Sequence, residues 1–154
     1  MVTLVPVPFF NPAEAREALS EVAALGETDR VKFVTMPQYE AVLLYSISEG
    51  EDDNSLPEMF YILRDLQDCA DYNKILASWT GGILHLAIAA GGSLLLANEY
   101  KAPDFTTAEY FIFLALKSLQ LNPEVSTICF RGELDSEDEM SLYRYFKNVE
   151  QVCG

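Results

Sequence analysis

Apolar positions recur along this chain with two different periods, and the switches between them mark out its elements. Three short apolar runs near the middle, KILASWT (74–80), ILHLAIAA (83–90) and SLLLANEY (93–100), are separated by Gly-Gly pairs. That pattern predicts three strands joined by tight hairpins. A long helix is predicted next over 106–121, with Thr106 and Glu109 as a capping box, Phe105 and Tyr110 as a hydrophobic staple, and Asn122-Pro123 as its stop. It is apolar nearly all round, which predicts burial on most sides. A strand over VSTICFRG (125–132), a helix over 136–147 capped by Ser136 and Glu139, and a short strand at VEQV (149–152) follow.

The first half is punctuated less sharply. Residues 2–10 read as extended, with Pro6 and Pro8 placing them at a sheet edge. Asn11 as N-cap, Pro12 at the first helical position and Glu14 in a capping box predict a helix to about Leu25, ended by Gly26. Two strands are predicted at 31–36 and 40–48, broken by Met36-Pro37-Gln38. In the second, Val42 and Leu44 share one face while Leu43, Tyr45 and Ile47 share the other, so both faces should be covered. The acidic loop EGEDDN (49–54) is expected to be solvated and is the one linker in sight. Ser55-Leu56-Pro57-Glu58 then opens a helix whose apolar positions are Met59, Ile62, Leu63 and Leu66, ending between Cys69 and Tyr72.

Composition narrows the function classes. Half of the 154 residues are apolar and 12% are aromatic, enough for a real core. The net charge of −14 disfavours nucleic acid and anionic membranes, which are held largely by Lys and Arg. Three dispersed cysteines, Cys69, Cys129 and Cys153, fit neither a disulfide framework nor a zinc site. The opening MVTLVPVPFF lacks a basic segment and is broken by two prolines, so it does not read as a signal peptide. No apolar stretch approaches the roughly 20 residues that span a bilayer. A reduced, cytoplasmic protein is the expectation.

The predicted order divides the chain into a βαββα lobe over 1–72 and a βββαβαβ lobe over 73–154, a mixed α+β (α/β) class. The second order resembles one half of an actin- or hexokinase-type ATPase, and the ribonuclease H fold. In actin-type ATPases the turn after the first strand carries an Asp and a Gly, and its amides cup a phosphate. Here the turn reads Trp79-Thr80-Gly81-Gly82, with no carboxylate to position Mg²⁺ or water. A tight hairpin with positive φ and a retained phosphate cradle are both open for it. Gly91-Gly92 reads as a hairpin turn only. Arg131-Gly132-Glu133 follows the fourth strand of the unit, where ligands of open α/β sheets sit. The candidate nucleotide-binding residues are therefore Thr80, Gly81, Gly82, Arg131 and Gly132, with no catalytic and no metal-binding residue assigned. Glu133, Asp135, Glu137, Asp138 and Glu139 read as acids favoured by a helix N-terminus. His85, the single histidine, reads as a packing or hydrogen-bonding residue. A ribonuclease H-type nuclease would need an acid between Lys74 and Thr80, and none is there.

Two stretches resemble one family. VTLVPVPFFNPAEAREALS (2–20) is similar to its valine-proline-small-phenylalanine opening followed by Asp/Asn-Pro, and 84–149, with LLLANEYKAPDF and FRGELD in order, is similar to its C-terminal block. The family is an uncharacterised bacterial one, domain of unknown function 3822. The resemblance implies an actin-like fold close in plan to the pilus-assembly and cell-division actin relatives. It also implies a further lobe segment before VPVPFF, so a truncated form, a split gene or a reduced protein is expected here. Only Gly81, Gly82 and Gly132 map onto positions that touch nucleotide in the wider fold. The expectation is a non-catalytic scaffold or interaction protein on a degenerate actin-like fold, with a protein partner or a second copy and no cofactor. The alternative is a nucleotide-binding protein or weak ATPase that takes Mg-ATP.

Overall fold

Proline breaks and two-residue turns set the strand lengths in the computed structural model, which describes residues 1–152. Cys153 lies outside the described residues. The chain divides into two units, Met1–Phe60 and a second from Tyr61 onward.

The first unit holds strands β1 (Val2–Pro6), β2 (Arg30–Met36) and β3 (Ala41–Ile47), with helix α1 (Ala15–Ser20) between β1 and β2. β3 is central and antiparallel to both neighbours, giving the order β1-β3-β2. Its alternating sets Val42, Leu44 and Leu43, Tyr45, Ile47 are all buried, as their two-sided apolar pattern predicts. Ala15, Val42 and Leu44 form one cluster, with Val5, Phe10, Ala18 and Val31 packed around it.

Several boundaries in this unit differ from those predicted, each for a local reason. Asn11 does cap, its Oδ1 accepting from the Ala13 amide at 3.0 Å, but the first turn over Pro12–Glu14 is a 3-10 turn. α1 then stops at Ser20, whose hydroxyl donates to the Glu17 carbonyl at 2.7 Å. Gly26 belongs instead to a turn in which its amide donates to Asp29 Oδ2 at 2.8 Å and its carbonyl accepts from Arg16 at 2.8 Å. Glu40 lies outside β3 in the left-handed region (φ 52°). The 49–54 loop is more than solvated acid. Asp53 pairs with Arg30 and lies 4.0 Å from Lys32, and Glu51 accepts from the Ser48 amide at 3.1 Å.

Helix α2 (Glu58–Leu66) crosses from one unit to the other and ends before Cys69, earlier than predicted. Its Met59, Ile62, Leu63 and Leu66 are fully buried.

The second unit holds β4 (Asn73–Thr80), β5 (Ile83–Ala90), β6 (Ser93–Lys101), helix α3 (Phe105–Ser118), β7 (Thr127–Arg131), helix α4 (Ser136–Tyr143) and β8 (Asn148–Val152). The predicted βββαβαβ order is present. The sheet runs β6-β5-β4-β7-β8, with β4, β7 and β8 parallel and β5 antiparallel to both its neighbours. A bulge displaces the β5–β6 register between Ile88 and Ala89. One face carries Ile75, Ala77, Leu84, Leu86, Ile88, Ile128 and Phe130, packed with residues of α3 and α4 into the main core.

The caps of this unit are aspartates, one residue ahead of those expected for α4 and two for α3. Asp104 caps α3, accepting from the Thr107 amide at 2.7 Å and its hydroxyl at 2.8 Å, which hold its carboxyl below the usual range. Asp135 caps α4 through the Glu137 amide at 2.7 Å. At α3, Asp is a better N-cap acceptor than Thr; at α4, Asp135 ranks with Ser136 and stands one residue ahead of it. Glu109 closes no box with Thr106. Burial raises its carboxyl pKa, while a hydrogen bond with Ser141 on α4 opposes that shift. The staple is also replaced: Phe105 packs on Trp79 with ring centroids 5.5 Å apart, and Tyr110 is 60% exposed. With Leu114 47% exposed as well, α3 is not buried on most sides.

Candidate functional site

The parallel pairing of β4 with β7 brings the two candidate turns to one end of the sheet. Thr80-Gly81-Gly82 follows the carboxyl end of β4, and Gly132 follows Arg131 at the carboxyl end of β7. Sequence reasoning set these turns more than forty residues apart. The strand order makes them neighbours, at the end where ligands of parallel sheets bind.

Their local geometry is tight. Thr80 pairs with Ile83, so Gly81 and Gly82 are the whole loop. Both have positive φ, 59° and 75°, the signature of a type I′ hairpin. A Cβ at Gly81 would meet nothing within 4 Å, so the backbone angle, and not crowding, calls for glycine there. The Gly82 carbonyl accepts from the Ala102 amide at 2.8 Å, and the Ala102 carbonyl accepts from Trp79 Nε1 at 2.8 Å. The hairpin tip is therefore tied to the segment that leads into α3. Gly132 also has positive φ, 93°, with open space around a notional Cβ.

Arg131 brings in groups that local sequence did not reveal. Its guanidinium lies over the Tyr61 ring at 4.9 Å, and its Nε is 3.4 Å from Asp65 Oδ2. Asp65 is buried and also accepts from Arg64, at 2.8 Å to Nε and 3.2 Å to a terminal nitrogen. Arg64 in turn lies 5.0 Å from the Tyr61 ring centroid. One carboxylate and one ring thus hold two guanidiniums beside Gly132.

A polar row continues from Arg131 across the sheet. Ala77 lies beside Phe130, so Ser78 and Arg131 come next along neighbouring strands. Ser78 is directly opposite His85, and His85 is directly opposite Glu99. His85 Nε2 is 3.2 Å from Glu99 Oε2. Ser78 Oγ and His85 Nδ1 are buried without a hydrogen-bond partner among the described residues. Fully buried Ser78 presents no accessible nucleophile, so the Ser–His–Glu sequence across three strands is not a hydrolytic triad.

The remaining acids behave as helix-terminus groups. Glu137, Asp138 and Glu139 all lie in the first turn of α4, and burial with its acidic neighbours raises the Asp138 pKa. Among the described residues, no three His, Cys, Asp or Glu side chains gather in a way that could hold a metal ion. No described helix is long and apolar enough to cross a membrane.

Residues 57–149 match the family described as "Protein of unknown function (DUF3822)". That is more than half of the chain, and the chain belongs to this family. Among solved structures it is similar to a protein of Bacteroides thetaiotaomicron VPI-5482, described as having an actin-like ATPase fold and unknown function. The TM-score is 0.80 at 17% identity, over 98% of this chain and 64% of that one. The chain thus spans less than two thirds of that protein's length, and the likeness gives it an actin-like ATPase fold. No curated protein matches the chain.

Proposed function

We propose that this member of the DUF3822 family is a non-catalytic scaffold or interaction protein, in which an actin-like fold is kept for its shape. One observation carries the reading: the turn that a phosphate would meet is closed as a two-residue hairpin, and neither β4 nor β5 contributes a carboxylate beside it. Mg²⁺ or an attacking water would have no acid on those strands to position it. Arg131, at the carboxyl end of the strand beside β4, is already engaged by Asp65 and Tyr61. The exposed Tyr110 and Leu114 on α3, with exposed Met140 and Tyr143 on α4, support a role in binding protein. The two buried free thiols fit a reducing compartment, so the cytoplasm is the location we propose.

A second reading, a nucleotide-binding protein or weak ATPase, is favoured by one observation. Two glycine turns of positive φ stand at the carboxyl ends of adjacent parallel strands. Thermal denaturation with and without millimolar Mg-ATP separates the two. A nucleotide at a hundred times its Kd stabilises by about 2.7 kcal/mol. The scaffold reading expects no shift. A clear rise in midpoint that disappears in Gly82→Val would overturn it in favour of the second.

A further inference from the structure

Helices α3 and α4 lie on the same face of the five-stranded sheet and run parallel to each other. β6 and β4 are each antiparallel to β5, while β7 is parallel to β4 and to β8, so β6, β7 and β8 all point one way. α3 links β6 to β7 and α4 links β7 to β8, and each runs back against those strands. The pair packs on the sheet through Ala108, Ile112, Leu142 and Phe146. Phe113 closes the seam between the helices, its ring centroid 4.8 Å from that of Tyr145 and 5.7 Å from that of Phe146.

The outer surface of the pair is apolar along its middle. Tyr110 and Leu114, four residues apart, share one side of α3 and are exposed. Met140 is exposed on α4, and Tyr145 is exposed at the seam. Tyrosine, methionine and arginine are residues that protein interfaces concentrate. The charges around them are sorted along the helix axes. At the amino ends, Asp104 caps α3, and Glu137, Asp138 and Glu139 fill the first turn of α4. At the carboxyl ends stand Lys117 and Arg144, both exposed. Because the helices are parallel, the acids share one end of the surface and the cations share the other.

We propose that this surface receives a second copy of the chain, turned end for end about a two-fold axis. In that arrangement the acidic end of each copy meets the basic end of the other. Tyr110, Leu114, Met140 and Tyr145 meet their own counterparts between the two ends. Such a contact is isologous and closes at two copies. Stacking the copies in the same direction would set acid on acid and cation on cation, so the sorted charges select the reversed pairing. The net charge of −14 opposes approach at long range. It is screened beyond about 8 Å at physiological ionic strength, and the charges within the contact then decide the pairing. The dimer rests on the interaction role proposed above, which the Mg-ATP comparison tests separately.

Sedimentation equilibrium of the full chain at physiological salt should give twice the chain mass. At about 100 μM protein, a Kd of about 10 μM would already leave the dimer dominant. Leu114→Arg, at an exposed position, should give a monomer with an unchanged urea midpoint. Lys117→Glu with Arg144→Glu should also give a monomer, since acid then meets acid at both ends. Glu137→Lys with Asp138→Lys should do the same with cations. Mixing these two double variants should restore a dimer containing one of each. A parent chain that stays monomeric at about 100 μM would overturn the proposal, leaving the surface to a different protein and the interaction role standing. A dimer that survives both Leu114→Arg and the charge reversals would overturn it as well, by placing the contact elsewhere.

Discussion

The two faces of the five-stranded sheet are built from alternate residues of the same strands, yet they differ in kind. Toward α3, β4 presents Ile75, Ala77 and Trp79, β5 presents Leu84, Leu86 and Ile88, and β7 presents Ile128 and Phe130. Toward the other side the same strands present Ser78, His85, Cys129 and Arg131, with Glu99 from β6. The first face is a close-packed aromatic and aliphatic core. The second is a polar row set among Leu76, Ala87 and Ala89, and it holds the ion pair, the Cys129 thiol and the unpartnered Ser78 hydroxyl. A side-chain period of two lets a single strand carry stability on one face and chemistry on the other. Buried polarity confined to one face leaves the other free to pack tightly.

That contrast can be broken most sharply on the apolar side. Phe130 is 1% exposed and packs toward Phe105, so Phe130→Ala should cost about 3–5 kcal/mol. Urea unfolding followed through Trp79, the single tryptophan, would measure it. A loss below about 1 kcal/mol would mean that this face is not the core. On the polar side, Asp65→Ala removes the carboxylate between two guanidiniums and should cost about 3 kcal/mol, chiefly through loss of the buried charge that faces Arg131. The same urea titration should show the penalty, with little further loss when salt is raised. An unchanged midpoint would remove the ion pair from the argument. The smallest effect belongs to Ser78→Ala. Its hydroxyl has no partner among the described residues, so stability should stay within about 0.5 kcal/mol of the parent. A loss above about 1.5 kcal/mol would reveal a hydrogen bond and make the row more continuous than drawn.

Much of the fold could be read in advance because local signals agreed with one another. Gly-Gly pairs fixed two hairpins, and apolar periodicity separated strand from helix. The caps were harder. At both α3 and α4 an aspartate stands just ahead of the hydroxyl residue expected to cap, and only the backbone geometry chooses between them. The candidate turns were named correctly as turns, but their meeting at one sheet end depends on β4 pairing with β7, a contact across some fifty residues. Asp65 was not legible at all, since nothing near it in sequence announces Arg131. The polar row was half legible. A two-residue turn at Gly81-Gly82 requires Ser78 to face His85. The same rule at Gly91-Gly92 would set His85 opposite Asn98. The bulge shifts that register by one and delivers Glu99 instead.

The bulge has a second effect, on how the sheet ends. Among the described residues β6 pairs with β5 on one side only, so its outer rim has no neighbouring strand, the kind of edge along which proteins laminate into fibres. One extra residue there, Leu95, kinks the rim out of plane, and Glu99 and Lys101 put charge near its far end. An arriving strand would find no straight run of nine residues to match. Growth by strand addition is thereby discouraged at the rim, and a companion protein would be received more readily by side chains on the helices than by the backbone of the sheet.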